Sequence, residues 1–107
     1  MGNPFGNMGG MMKQVKKMQQ DLERAQDELA EARIEASSGG GMVKAVVSGM
    51  GEFISIKIDP QVVDPDDVEM LEDLVTTAVH EAMSKAEETK AERLQQATGG
   101  LSLPGMF

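Results

Sequence analysis

Apolar residues recur at alternating intervals of three and four positions along the first third of the chain. This spacing is the heptad pattern of a helix with one apolar stripe, and it predicts a helix over residues 11 to about 36. The glycine-rich run SSGGG at residues 37–41 then ends the helix. We call the apolar stripe the seam; its members are Met8, Met11, Val15, Met18, Leu22, Ala25, Leu29, Ala32 and Ala36.

The middle of the chain changes to the strict alternation that is typical of β-strands. Two strands are predicted in GMVKAVVSGMGEFISIKIDP, joined by a glycine-containing turn at residues 49–51. A third short strand is expected near residues 61–63. The residues that share one face of each main strand are Val43, Ala45 and Val47 in the first, and Ile54, Ile56 and Ile58 in the second.

A second long helix is predicted from residue 64 to about residue 97. Asp64 is a suitable N-cap, and Pro65 suits the first helical position. The apolar stripe of this helix consists of Val68, Leu71, Val75, Ala78 and Ala82. The predicted fold class is therefore α+β, with the order α-β-β(-β)-α, two long helices and a small antiparallel sheet.

The domain organisation follows from these elements and the composition of the ends. Residues 11–97 form one domain, and the Gly-, Asn- and Pro-rich residues 1–10 are expected to be a flexible N-terminal segment. Residues 98–107 are expected to be a flexible C-terminal tail. Both ends contain apolar side chains, so either of them can dock elsewhere.

The length of the seam favours a homodimer. Part of the seam can pack on the second helix of the same chain, but two helices of roughly 40 to 50 Å extend past a sheet this small. The chain has 107 residues and only 3 aromatic ones, which gives a thin core. A second copy would cover the seam residues at the far end of the helix.

Positive charge is concentrated near the start of the first helix, although the chain carries 18 acidic and 10 basic residues. On a helical wheel, Lys13, Lys16 and Lys17 lie with Arg24 on the side opposite the seam. Lysines in a first helical turn oppose the helix dipole, so they are not expected to stabilise the helix. The face is interpreted either as an ordinary solvated surface or as a contact for phosphate groups.

Several classes of function are not supported by the residues present. The chain has a single histidine, His80, and no cysteine, so it offers no catalytic triad and no metal-ligand spacing. We expect no enzyme activity, metal, cofactor or small-molecule substrate. No apolar run approaches the roughly 20 residues of a membrane-spanning helix, and no signal peptide is visible. The expected location is the cytoplasm.

Three motifs in order, GGGMVKAVVSGMGE, IKIDP and VDPDDVEMLEDLV, resemble the YbaB/EbfC family of bacterial nucleoid-associated proteins. The resemblance extends over about residues 11–92. It implies a small cytoplasmic homodimer whose sheets join between subunits and whose long helices project like the arms of tweezers. It also implies binding of double-stranded DNA with little sequence preference, and roles in nucleoid organisation, gene expression and DNA protection.

In this family, DNA contact is attributed to the projecting helices, and no well-defined binding motif is known. Carried onto this chain, the candidate phosphate contacts are Lys13, Lys16, Lys17 and Arg24. Weaker candidates near the end of the second helix, where acidic residues surround them, are Lys85, Lys90 and Arg93.

A different function fits the same features. A small acidic dimer could act as a chaperone or scaffold for another polypeptide, with the seam and its methionines forming a groove for a partner helix. Binding that depends on the lysines would favour DNA, whereas binding that depends on exposed methionines or on the tails would favour a protein partner.

Overall fold

The computed structural model describes the backbone of residues 4–99 and the side chains of residues 9–99. The chain forms an elongated molecule of 79 × 21 × 18 Å. Its order, α-β-β-β-α, confirms the predicted α+β class. The elements are α1 (Pro4–Glu31), β1 (Arg33–Ser38), β2 (Val43–Ser48), β3 (Phe53–Ile58) and α2 (Val68–Ala97), with short 3-10 helices at Gly39–Gly41 and Pro60–Val62.

The third strand lies at a different place from the predicted one. The prediction of a strand near residues 61–63 is wrong, because Gln61 and Val62 belong to the 3-10 helix Pro60–Val62 and Val63 is its C-cap; Asp59 caps its start by accepting a hydrogen bond from the backbone N–H of Gln61. The extra strand is β1, which occupies the predicted end of the first helix. It pairs antiparallel with β2, so that Ala36 lies opposite Ala45. Ala36 therefore belongs to the sheet and not to the helical seam.

Both helices have different starting points from those predicted. Helix α1 begins at Pro4 instead of residue 11. Helix α2 begins after Asp67, whose carboxylate accepts a hydrogen bond from the backbone N–H of Met70 at 3.2 Å. Asp64 is not the N-cap; its carboxylate accepts from the N–H of Asp66 in the preceding turn. Of the predicted C-terminal tail, only Thr98 and Gly99 lie within the described residues.

The core forms where α2 lies over β1 and β2. Val43, Ala45 and Val47 are fully buried, which confirms the predicted inner face of β2. They pack against small side chains that recur every four residues along α2, namely Ala78, Ala82 and Ala86. Strand β3 pairs with the other edge of β2, with a register shift at Val46 and Val47. Its apolar face is less covered, and Ile54 and Ile58 are exposed.

A second, smaller core joins the two helices. Leu22, Ala25 and Leu29 of α1 are buried against Leu94 and Ala97 near the end of α2. Across the same contact, Arg93 Nε donates to Glu28 Oε2 at 2.9 Å. The hydrogen bond from Arg93, together with the positive charges of Arg93 and Arg24, lowers the pKa of the Glu28 carboxyl. Only the sheet-proximal half of α1 is held in this way.

Gly49 occupies a position where no larger side chain fits. Its N–H donates to the carbonyl oxygen of Ala32 at 3.2 Å, which places the backbone directly against the end of α1. A Cβ atom at this position would lie 2.7 Å from the carbonyl oxygen of Leu29. The close approach couples the turn after β2 to the base of α1.

We expect Gly49→Ala to destabilise the fold by about 1–3 kcal/mol, because the added methyl group collides with a backbone atom that cannot turn away. Urea unfolding followed by circular dichroism measures the change. Gly10→Ala is the matched control: nothing lies within 4 Å of its Cβ position, and alanine in a helix is favoured by up to about 1 kcal/mol. Equal effects of the two substitutions would contradict the contact.

We expect Glu28→Gln to lower the Tm at pH 7, since the substitution removes the carboxylate that Arg93 binds. The folded-state pKa of Glu28 lies below its ordinary value of 4.5, so the stabilisation is complete above that value. It is lost as the pH falls through the folded-state pKa. The Tm gap between wild type and variant should therefore close in acid.

Thermal unfolding across a pH series measures this gap. Glu23→Gln, at an exposed position on the same helix, serves as the control and should show no comparable closing of the gap. If the difference in Tm between wild type and Glu28→Gln stays constant from neutral to acidic pH, the ion pair does not stabilise the fold through the ionised carboxylate.

Candidate nucleic-acid interface

The candidate interface is the basic face of α1. Lys13, Lys16 and Lys17 are exposed, as is Arg24 further along the helix. At about 100° per residue these four side chains lie on the side of the helix opposite the buried Leu22. We call this surface the lysine face. The structure therefore brings together all four of the main candidates predicted from the sequence.

The lysines of this face are available for external anions. Within the part of the chain that the structure describes, the ion pairs are Lys44 with Glu35 at 3.8 Å and Arg93 with Glu28 at 2.9 Å. Neither of them involves Lys13, Lys16 or Lys17. Because no described carboxylate neutralises the three ammonium groups, their charges remain available to a partner in solution.

The three lysines of this face lie on the part of α1 that no other described element covers, whereas Arg24 lies on the exposed side of the part that packs on α2. The packing of α1 on α2 begins at Met18, which is half-buried, and continues toward the sheet through Leu22, Ala25 and Leu29. Lys13 lies about 14 Å along the helix axis from Leu22, at 1.5 Å per residue. The basic residues thus extend from the body of the molecule, whereas most of the acidic residues lie in α2 and the segment before it.

Contrary to the prediction from the sequence, the lysines do not lie in the first turn of the helix and do not oppose its dipole. Helix α1 begins at Pro4, so Lys13 lies more than two turns inside it. The dipole acts mainly within the first turn. The lysines therefore carry no dipole penalty. Their exposure, and the lack of an ion pair to any described carboxylate, are what suit them to an external anion.

The weaker candidates on α2 form a separate group near the sheet. Lys85 Nζ donates to the backbone carbonyl of Glu35 at 3.3 Å, and Arg93 is held by Glu28. Lys90 is half-buried. The structure does not bring these side chains to the lysine face, and two of the three already have partners inside the chain.

The seam divides into a buried half and an exposed half. Leu22, Ala25 and Leu29 are buried, whereas Met11 and Val15 are 64% and 54% exposed. The side chain of Met8 lies outside the described residues. Sequence reasoning missed the α2 partners of the seam, Leu94 and Ala97. Their separation by three residues on a helix was the signal that could have found them.

Other kinds of site receive no support from the described residues. Among them, no three His, Cys, Asp or Glu side chains gather in an arrangement that could hold a metal ion. His80 is an exposed residue of α2. No helix in the described part of the chain combines the length and the hydropathy needed to cross a membrane.

A solved structure shares this fold. An uncharacterized protein from Helicobacter pylori superposes with a TM-score of 0.68, and the match covers 85% of this chain and 92% of that one. The two sequences are 22% identical, so the likeness concerns the fold alone.

Sequence comparisons give a closer relationship. A nucleoid-associated protein from Alkaliphilus metalliredigens is 54% identical over 94% of this chain and 89% of its own length. Another, from Thermoanaerobacter pseudethanolicus, is 50% identical over 99% of this chain and 96% of its own length. The model of the YbaB/EbfC DNA-binding family matches residues 4–101. The chain therefore belongs to the YbaB/EbfC DNA-binding family.

Proposed function

We propose that this protein is a nucleoid-associated protein that binds double-stranded DNA through its phosphates, with little sequence preference. The observation that supports this most directly is the exposed lysine face of α1, whose lysines have no ion pair among the described residues. Membership of a DNA-binding family and relatives that are named nucleoid-associated proteins support the same function. The corresponding location is the cytoplasmic nucleoid, with effects on nucleoid organisation, gene expression and DNA protection.

The geometry of the face suits phosphates better than base edges. Lys13 and Lys17 are separated by about 6 Å along the helix axis, and Arg24 lies about 16 Å from Lys13. This length spans several phosphates at the 3.4 Å rise of one DNA strand. Lysine carries a compact point charge without the planar fork that reads guanine, so it supplies affinity and little sequence information.

The acidic body limits how DNA can be held. With 18 acidic and 10 basic residues, the chain would repel a duplex that lay along its whole surface. Contact is therefore confined to the lysine face, and the affinity depends on a few phosphate contacts. Such binding weakens steeply with salt because each contact releases condensed counterions.

The functional unit in this proposal is a homodimer that forms through β3. This strand is at the edge of the sheet and lies largely outside the cover of α2. Phe53 is 51% exposed, and Ile54 and Ile58 are also exposed on the same strand. An apolar edge strand with free backbone groups is a template for pairing with a second copy. Such a dimer would carry two lysine faces.

We expect the triple variant Lys13→Gln/Lys16→Gln/Lys17→Gln to lose most of its affinity for duplex DNA. Each lysine that contacts a phosphate contributes about 1 to the slope of log affinity against log salt. Three lysine–phosphate contacts on one α1 helix correspond to a roughly 40-fold loss of wild-type affinity when salt is raised from about 50 to about 200 mM. Fluorescence anisotropy with a labelled duplex measures both the affinity and the slope.

The matched control removes the same charge from the body at three exposed residues that are not candidate contacts, as Arg33→Gln/Lys44→Gln/Lys57→Gln. It should retain nearly all of the affinity and the wild-type slope. An equal loss in both triple variants would assign the effect to net charge instead of the lysine face. Salt-insensitive binding by the wild type, or none, would contradict the proposal and would direct the search to a protein partner.

We expect Ile58→Glu to dissociate the dimer, because the substitution places a carboxylate on the exposed apolar surface of the edge strand. Light scattering coupled to size-exclusion chromatography gives the mass across a concentration series. Lys57→Glu adds an acidic residue at the neighbouring position, on the other face of β3, and should leave the dimer intact. A monomeric wild type, or a dimer that survives Ile58→Glu, would refute an interface at this face.

A further inference from the structure

Beyond the end of α2, no described element covers an apolar stripe on α1. Met11 and Val15 continue the line of the seam past Met18 and Leu22, at the same intervals of three and four residues. Met12 lies beside them and is 69% exposed. We call these three side chains the distal stripe. They form one open apolar surface, bordered by Lys13, Lys16 and Gln19.

The end of α2 is positioned where the distal stripe begins. Ala97 belongs to the buried cluster that contains Leu22, and Met18 packs against the edge of that cluster. Thr98 is buried, and its N–H donates to the carbonyl oxygen of Leu94. Gly99, at a φ of 65°, then ends the helix. Helix α2 therefore ends on the side of α1 that carries the seam, against the last of its buried residues.

We propose that residues 101–107 of the same chain pack on the distal stripe. The stripe extends about 10 Å along the helix from Met18 to Met11. Five residues from Thr98 to Leu103 can span roughly 17 Å, so Leu101 and Leu103 can reach Val15 and Met11 without any change in the two helices. In this position the segment covers apolar side chains of α1 that lie beyond the end of α2, and we call it the strap.

The composition of the segment matches the surface that it would cover. Residues 98–107, TGGLSLPGMF, contain no charged side chain, and four of the last seven residues are large and apolar: Leu101, Leu103, Met106 and Phe107. In an extended segment, Leu101 and Leu103 fall on the same side. Pro104 reduces the conformational entropy that the segment loses on docking. Covering apolar side chains on both partners provides the driving force.

The strap lies beside the lysine face without covering it. Met11 and Val15 are at least about 100° around the helix from Lys13, Lys16 and Lys17, so a segment along these two side chains leaves the ammonium groups exposed. At Met12 the stripe borders Lys13 and Lys16. The inference therefore does not depend on DNA binding. The other possible occupant of the stripe is a second copy of the chain, and the experiment separates the two.

The absence of cysteine in the sequence allows a direct test. In the full chain, the pair Val15→Cys/Leu103→Cys should form a disulfide within one chain at least about ten times faster than Gln20→Cys/Leu103→Cys, under the same redox buffer. Gln20 is exposed on the opposite side of α1, and along the helix axis it lies about 7.5 Å nearer than Val15 to Leu22, which packs with the end of α2, so distance along the helix does not favour the Val15 pair. Equal rates for the two pairs would overturn the proposal.

Mass spectrometry of mixed light and heavy isotope-labelled chains distinguishes the occupants. Disulfides within one chain support the strap, whereas disulfides that mainly join different chains assign the stripe to a second copy and overturn it. As a cysteine-free measurement, Leu101→Ser/Leu103→Ser should raise amide hydrogen exchange in residues 11–18 several-fold. Ser102→Ala should leave the exchange unchanged, and unchanged exchange in both variants would also overturn the strap.

Discussion

The architecture depends on the close packing of α2 through small side chains. Ala78, Ala82 and Ala86 present almost no bulk, so the helix backbone approaches the buried face of β2 closely. Further along the same helix, Leu94 and Ala97 hold α1. Helix α2 therefore holds both the sheet and the sheet-proximal half of α1 in place. A chain with few aromatic residues can build a core in this way because close backbone contact replaces large side chains.

The same arrangement determines where function can lie. Because α2 covers only the sheet-proximal half of α1, the other half projects with its two faces separated. One face carries Lys13, Lys16 and Lys17 without ion pairs among the described residues. The other carries the apolar side chains of Met11 and Val15. A basic contact surface and an apolar docking surface can thus occupy the same stretch of helix without competing.

The sequence predicted the class of the fold better than its boundaries. The alternation at Val43, Ala45 and Val47 identified β2 because burial on one face of a strand requires it. Ala36 misled the prediction, since alanine is compatible with both a helical seam and a buried strand. Asp64 was likewise predicted as the N-cap of α2, but Asp67 caps the helix and Asp64 belongs to the preceding turn. For the candidate site, the lysine face followed from helical periodicity, but the partners of Lys85 and Arg93 lie 50 and 65 residues away and leave no local signal.

The most direct test of the account maps the DNA contact residue by residue. Backbone amide NMR spectra of the isotope-labelled full chain, titrated with a short duplex, would show which signals move. The account predicts shifts concentrated in residues 13–24 that diminish as salt is raised, with little change in β2 and the first half of α2. Shifts concentrated in the sheet, or shifts that persist at high salt, would contradict the lysine face as the site of DNA binding.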